Sequence, residues 1–279
     1  MEILRTCKKS LKDSLKPKRL LPFFFLYLSF FSISSLFFFQ IISVIPNLLT
    51  LNFTQENLNL ILINSLILLT LFLILFILNC WFSGALVYDV WREEGFKSGL
   101  KFSRKSLSQI ISLSFVLAFI NLFLSFFGLL SSALTFLVNF IFFFSLPSII
   151  IKREDFIEAT KRSYETISKS SLSSFLFYLL IYTTYHSILF FSFFPIIFSI
   201  FPLLSRITYF YQVFSYYGEF SQAALVQIIG LITNSFESIT VSLTIFSFFF
   251  SYSNVFLTTA KTNYFLLLSR KKLISSKQS

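Results

Sequence analysis

No charged residue lies between Arg19 and Glu56, between Glu56 and Asp89, between Lys105 and Lys152, or between Lys169 and Arg206. Each of these stretches is dense in Leu, Ile and Phe, and each exceeds the roughly 18 to 20 residues an α-helix needs to cross the hydrocarbon core of a bilayer. A helix on a water-soluble domain alternates apolar and polar residues at a spacing of about 3.6. Here whole turns are apolar on every side. In hydrocarbon the backbone must satisfy its own hydrogen bonds, so uninterrupted runs of this length read as helices. Composition agrees: 56% of residues are hydrophobic, 43 are Phe, and only 13% are charged, against about a quarter in a typical soluble domain.

The few charges then fix the expected topology. Every Lys and Arg except Arg206 falls in one of four places: the first nineteen residues, a polar piece at 89–105, a second at 152–170, or the segment after Ala260. Basic residues accumulate in cytoplasmic segments. An even number of spans with both termini in the cytoplasm reproduces this split. The chain is therefore expected to be an all-α integral membrane protein, a single polytopic domain over 1–279. Its six transmembrane helices fall at about 20–45, 58–88, 107–127, 134–151, 172–194 and 228–258. Pro195 and Pro202 are expected to break the chain after the fifth, and the Tyr-rich stretch at 203–222 to lie at the outer interface. Residues 261–279 form a basic tail.

The net charge of +11 is accounted for by this topology. With no zinc spacing and no aromatic-basic motif, nucleic acid is not an expected partner. The expected partners are membrane lipids, anionic on the cytoplasmic side, with a protein partner or a second copy as further possibilities. Residues 1–19 read as a basic interfacial segment with Ile3, Leu4, Leu11 and Leu15 on an apolar stripe. The run that follows is too long for a signal peptide, so this segment is expected to be retained. Asn52-Phe53-Thr54 is formally a glycosylation sequon. Cys7 and Cys80 are not expected to pair with each other.

The polar pieces resemble one another. With residues 86–115 laid on 146–175, Leu86, Glu94, Phe96, Lys101, Ser103, Ser108, Ser114 and Phe115 fall on Leu146, Glu154, Phe156, Lys161, Ser163, Ser168, Ser174 and Phe175. Both pieces lie on one side, so the expected internal repeat is parallel. Each is expected to hold a cytoplasmic amphipathic helix at the interface. In the second, Asp155 and Glu158 have the spacing of a capping box. Phe156, Thr160, Ser163, Tyr164 and Ile167 would share one face, with Phe156 and Ile167 buried at the membrane surface, and Glu158 can pair with Arg162. In the first, Phe96, Leu100, Ser103 and Leu107 form the stripe, while Gly95 and Gly99 weaken the helix.

The motif G-A-L-x-x-D at 84–89 and, above all, P-S-I-I-I-x-x-x-x-F-x-E-A-T-K-R-S-Y at 147–164 resemble a prokaryotic group of six-span membrane proteins. That group is related to the membrane domain of glycerophosphoryl diester phosphodiesterases. Within it, Ala159, Lys161, Arg162 and Ser163 match the start of a characteristic helix, and Thr259, Ala260, Lys261, Thr262 and Tyr264 resemble its ending. The resemblance implies the fold and a prokaryotic plasma membrane location. It supplies no catalytic residues, because the group has no established biochemical role.

No catalytic, cofactor-binding or metal-ligating set emerges from the sequence. His186 is the single histidine, so a multi-histidine metal site is excluded and a triad has one candidate base. No glycine-rich phosphate loop occurs. The expected function is therefore non-catalytic: organising the membrane, or binding lipid or a partner. A transporter or channel is the alternative, and an integral membrane enzyme the more distant one. A transport path would need polar groups at mid-membrane depth, and Asn121, Asn139, His186, Asn234 and Glu237 are the candidates. Counting about 20 residues back from Thr258 places Glu237 at the outer interface, as a marker of span geometry.

Overall fold

The computed structural model describes the backbone of residues 2–42, 44, 54–217 and 236–275, and side chains over residues 2–41, 44, 54–128, 130–198 and 240–269. The expected loop with its sequon at Asn52, the expected start of the sixth span at 228, and Asn234 lie outside these residues. So do the side chains of Arg206 and Glu237.

Ten α-helices account for nearly all of the described chain, and no strand occurs among the described residues. They are α1 (Glu2–Ser14), α2 (Pro17–Ile42), α3 (Gln55–Arg92), α4 (Phe96–Ser103), α5 (Leu107–Ser125), α6 (Ser131–Ile141), α7 (Ser145–Lys152), α8 (Phe156–Lys169), α9 (Ser171–Tyr217) and α10 (Phe236–Ser275). Six stretches are long and apolar enough to cross a membrane: Pro17–Ile41, Gln55–Arg92, Phe96–Gly128, Ser131–Lys152, Ser171–Phe198 and Thr240–Ser269. The protein is a multi-pass, all-helical membrane protein. Large apolar side chains such as Leu62, Ile63, Leu66, Phe119, Phe190 and Phe198 stay exposed along these stretches, as lipid-facing positions require.

Contacts divide the chain into two compact units. One comprises Met1–Phe23, Phe76–Ser187 and Ser251–Ser279, the other Phe24–Leu75 and Ile188–Phe250. In the second unit, aromatic edges hold α2 to α10, with Tyr27 against Phe250 at 4.7 Å and Phe31 against Phe246 at 5.1 Å. There the Ser242 hydroxyl donates to the Pro195 carbonyl at 3.0 Å. In the first unit the core gathers Cys80, Val87, Ile110, Leu113, Ile149, Ile150 and Ala159. Phe177 stacks on Tyr264 at 3.9 Å beside it.

Three expected boundaries differ from the observed ones. The helix expected to stop at Pro195 runs from Ser171 to Tyr217. One proline removes a single hydrogen bond, whereas ending a helix in an apolar setting leaves several backbone groups unsatisfied. The last helix does not end near Thr258 but continues to Ser275, because Tyr264 and Phe265 beyond it are buried in the core of the first unit. Lys261, expected to open a tail, instead lies over the Phe143 ring at 5.3 Å. The fourth span is two helices, α6 and α7, separated at Phe142–Phe144. A pyrrolidine ring at Pro147 clashes with the carbonyl four residues back, which is that of Phe143, so the regular ladder stops just before it.

The repeat has a backbone counterpart. α3 and α7 both end in a non-glycine residue in left-handed geometry, Glu93 and Arg153, each with φ 59°. α4 and α8 start at Phe96 and Phe156. Tyr88 donates to Glu94 at 2.6 Å, and Ser148 donates to Glu154 at 2.5 Å. Ser103 reaches back to the Trp81 carbonyl at 3.3 Å, and Ser163 to the Ile141 carbonyl at 2.6 Å. In these two bonds both donor and acceptor of one hairpin map on their counterparts at the offset seen in the sequence.

The amphipathic details are shifted. In α8 the buried face is Ala159, Ser163 and Ile167, with Phe156 and Thr160 half-buried and Tyr164 exposed. A face centred on Ser163 leaves Tyr164 about 100° away around the helix. Asp155 caps α8 by accepting from the Glu158 amide at 2.8 Å, as the spacing predicts. Arg162, however, pairs with Glu154 rather than Glu158, because Ser148 already holds Glu154 in place. In α4, Gly99 reflects close approach: a Cβ there would lie 2.3 Å from the Ala85 carbonyl oxygen.

Candidate functional site: a basic cleft at helix ends

The site is built on an ion pair. Arg19, near the start of α2, donates through Nε to Asp89 Oδ2 at 2.6 Å and through a terminal nitrogen to the Asp89 carbonyl at 3.4 Å. The two residues are 5% and 6% exposed. Removing two charges from water is costly unless they pair with good geometry. This pair meets that condition with two hydrogen bonds, and it fixes the last turn of α3 against α2. Asp89 closes the G-A-L-x-x-D motif.

α1 supplies the second wall. Leu4 and Leu15 of the expected interfacial stripe are exposed, and the face of α1 that packs on protein is a different one. It is Thr6, Cys7, Ser10 and Ser14. Thr6, Ser10 and Ser14 each return a hydroxyl hydrogen bond to the carbonyl four residues back, at 2.9, 2.9 and 2.6 Å. Their polar atoms are thereby satisfied, and the small face can approach another helix closely. That helix is α10: Asn263 donates to Ser10 Oγ at 3.0 Å, and the Tyr252 hydroxyl donates to the Leu11 carbonyl at 3.4 Å. Burial on this face pushes the Cys7 thiol above its ordinary pKa.

Between α1, the end of α3 and α10 lies a cleft of about 610 Å³. α1 lines it with Glu2, Arg5, Thr6 and Lys9, spaced so that all four share one face. α3 brings Val90, Trp91 and Arg92, followed by Glu93, and α10 contributes Asn263, Leu266 and Leu267. The Arg92 guanidinium lies over the Trp91 ring at 4.2 Å. Among the described residues Arg5, Lys9 and Arg92 form no ion pair. Three unpaired cations thus share a cleft with two carboxylates and an apolar wall. Such a lining can hold an anion that carries an apolar neck. It contains no nucleophile-base pair and no metal-ligand cluster; none of the latter occurs among the described residues.

The residues singled out from the sequence do not converge here. His186 is exposed and lies against Tyr182 at 4.1 Å and Tyr185 at 5.2 Å. Asn121 has a buried carbonyl oxygen with no partner, and Asn139 is half-buried elsewhere in the first unit. Cys7 and Cys80 are both free and buried. The cleft cations entered the sequence reading only as topology markers. An Asp that ends one long apolar run, with an Arg that opens another, was the available signal for the ion pair. No family model, curated protein or solved structure matches this chain.

Proposed function

We propose that this is a non-catalytic protein of a prokaryotic plasma membrane that binds anionic lipid, and through it organises a membrane face or a partner. The termini and both hairpin turns face the cytoplasm. The observation that carries this reading is the distribution of charge: the segments 1–19, 89–105, 152–170 and 261–275, which hold every basic residue except Arg206 and Lys277, fall in one compact unit. Each basic group near an anionic leaflet contributes about 1 kcal/mol, and salt screens it. The resemblance of residues 84–89 and 147–164 to the six-span group points the same way. α4 and α8 then lie at that interface, with Lys101, Lys161 and Lys169 toward the headgroups.

Two measurements test it. In a Cys7→Ala/Cys80→Ala background, single cysteines at Lys8, Lys97 and Lys169 are expected to react with an impermeant thiol reagent from the cytoplasm alone, and those at Thr54 and Ser125 from outside alone. Labelling of Lys97 and Lys169 from opposite sides would discard the topology. Vesicle flotation is expected to favour anionic over neutral lipid at low salt and to lose the preference at high salt. Equal binding to both at low salt would discard the lipid reading.

A further inference from the structure

We infer that the cleft between α1, α3 and α10 is a stoichiometric site for the phosphate headgroup of a single lipid. This inference rests on the lipid-binding reading above and sharpens it from a charged face to one pocket. Three observations support it. First, Arg5, Lys9 and Arg92 converge on the cleft with no carboxylate paired to any of them. Guanidinium and ammonium groups meet phosphate oxygens with short charge-assisted hydrogen bonds. Second, the opposite wall is Val90, Trp91, Leu266 and Leu267, which suits a glycerol and acyl neck rather than a free ion. Third, Arg92 is the last residue of the Gln55–Arg92 span, and Leu266 and Leu267 lie just inside the end of the Thr240–Ser269 span. The cleft therefore opens where these two helices leave the apolar zone, at headgroup depth.

Its volume of about 610 Å³ falls within the roughly 300–1,000 Å³ range of small-ligand pockets. Glu2 and Glu93 on the same rim reduce the attraction for a highly charged free anion. A headgroup presenting a single phosphodiester has more to gain. The Arg19–Asp89 pair does not touch the ligand in this scheme. It positions Val90 to Glu93.

The test uses the full chain in a neutral detergent, with native mass spectrometry as the readout and phosphatidylglycerol, phosphatidylcholine and inorganic phosphate as probes. The unmodified protein is expected to retain one phosphatidylglycerol. Arg5→Gln/Lys9→Gln/Arg92→Gln is expected to weaken that binding by about 100-fold, from roughly 1 kcal/mol per cation at 1.4 kcal/mol per decade. Lys101→Gln/Lys105→Gln/Lys161→Gln, which removes three exposed cations outside the cleft, is expected to leave the one-to-one complex intact while lowering flotation on anionic vesicles. Equal loss in both triple variants would overturn the cleft and leave the lipid-binding reading standing. Retention in the cleft variant would overturn it too. Stabilisation by inorganic phosphate that matches the lipid would assign a free anion instead, and equal retention of phosphatidylcholine would remove the role of net charge. If the triple variant does not fold, Lys9→Gln alone, on an exposed side chain, is expected to show about a third of the effect on a logarithmic scale, and no change there overturns the site.

Discussion

At Glu93 and again at Arg153 a helix ends in left-handed geometry, and three residues later a second helix starts from Phe96 or Phe156. The two hairpins share this backbone path but hold it with different chemistry. In the first, Asp89 is buried and pairs with Arg19 of α2. Its counterpart in the second is Ile149, fully buried among Ile110, Leu113 and Ala159. The first runs into its turn on one continuous helix, α3, whereas the second arrives on the broken pair α6 and α7. There the Phe144 amide, released by the break, donates to Ser163 Oγ at 3.0 Å. In the first hairpin Gly84 takes that position inside an unbroken helix. Glu154 gains a cation from Arg162, but the residue corresponding to Arg162 is Phe102, which stacks on Tyr88 at 4.4 Å and lies beneath Arg153 at 5.0 Å. The lesson is that a turn geometry can be kept while its fastening is exchanged.

The largest effect should come from separating the members of the ion pair. Arg19→Ala leaves Asp89 buried and unpaired, and loss of about 3–5 kcal/mol is expected in detergent unfolding. Arg19→Leu combined with Asp89→Ile imitates the second hairpin and should recover most of that loss. A double variant as unstable as the single one would break the equivalence of the two hairpins.

Next come the small residues at the helix crossings. Gly99→Ala forces a Cβ to within 2.3 Å of the Ala85 carbonyl oxygen, and overpacking of this kind costs about 1–3 kcal/mol. The reciprocal Ala159→Gly removes no clash and should cost about 1 kcal/mol through backbone freedom, plus about 0.8 kcal/mol for the buried methyl it deletes. Unfolding midpoints that fall equally for both would show that the first hairpin is packed no more tightly than the second.

Ser163 both donates and accepts, whereas Ser103 only donates, at 3.3 Å to Trp81 and 3.4 Å to Leu100. Ser163→Ala strands the Phe144 amide, and a buried unsatisfied donor costs about 1–3 kcal/mol. Ser103→Ala should cost about 0.5–1 kcal/mol, the net worth of an ordinary hydrogen bond. Amide hydrogen exchange at Phe144 should quicken in the first variant and stay unchanged in the second.

The smallest difference lies at the turns. Glu154→Gln loses a charge partner that is half-exposed on the Arg162 side, and such pairs contribute below about 1 kcal/mol. Glu94→Gln should leave the unfolding midpoint within error, since Gln still accepts from Tyr88. A larger effect at Glu94 would reverse the order and sharpen attention on the first turn.

The number of the spans was legible in the chain because charge-free runs longer than a bilayer core admit one economical backbone state, the helix. So were the hairpin starts at Phe96 and Phe156, and the Asp155 cap, because capping is a contact between residues three apart. The offset pairing of Glu94 with Glu154 and Ser103 with Ser163 was visible as identity, though not as hydrogen bonds. What depended on distant neighbours was not legible. Pro195 reads as a break until the helix around it is seen to continue. Thr6, Ser10 and Ser14 read as polar until α10 is placed against α1. Arg5, Lys9, Arg19 and Arg92 were interchangeable positive charges in the sequence. Which of them is buried against Asp89 and which stand unpaired around a cleft was decided by contacts between residues far apart in the chain, and local periodicity carries no information about those.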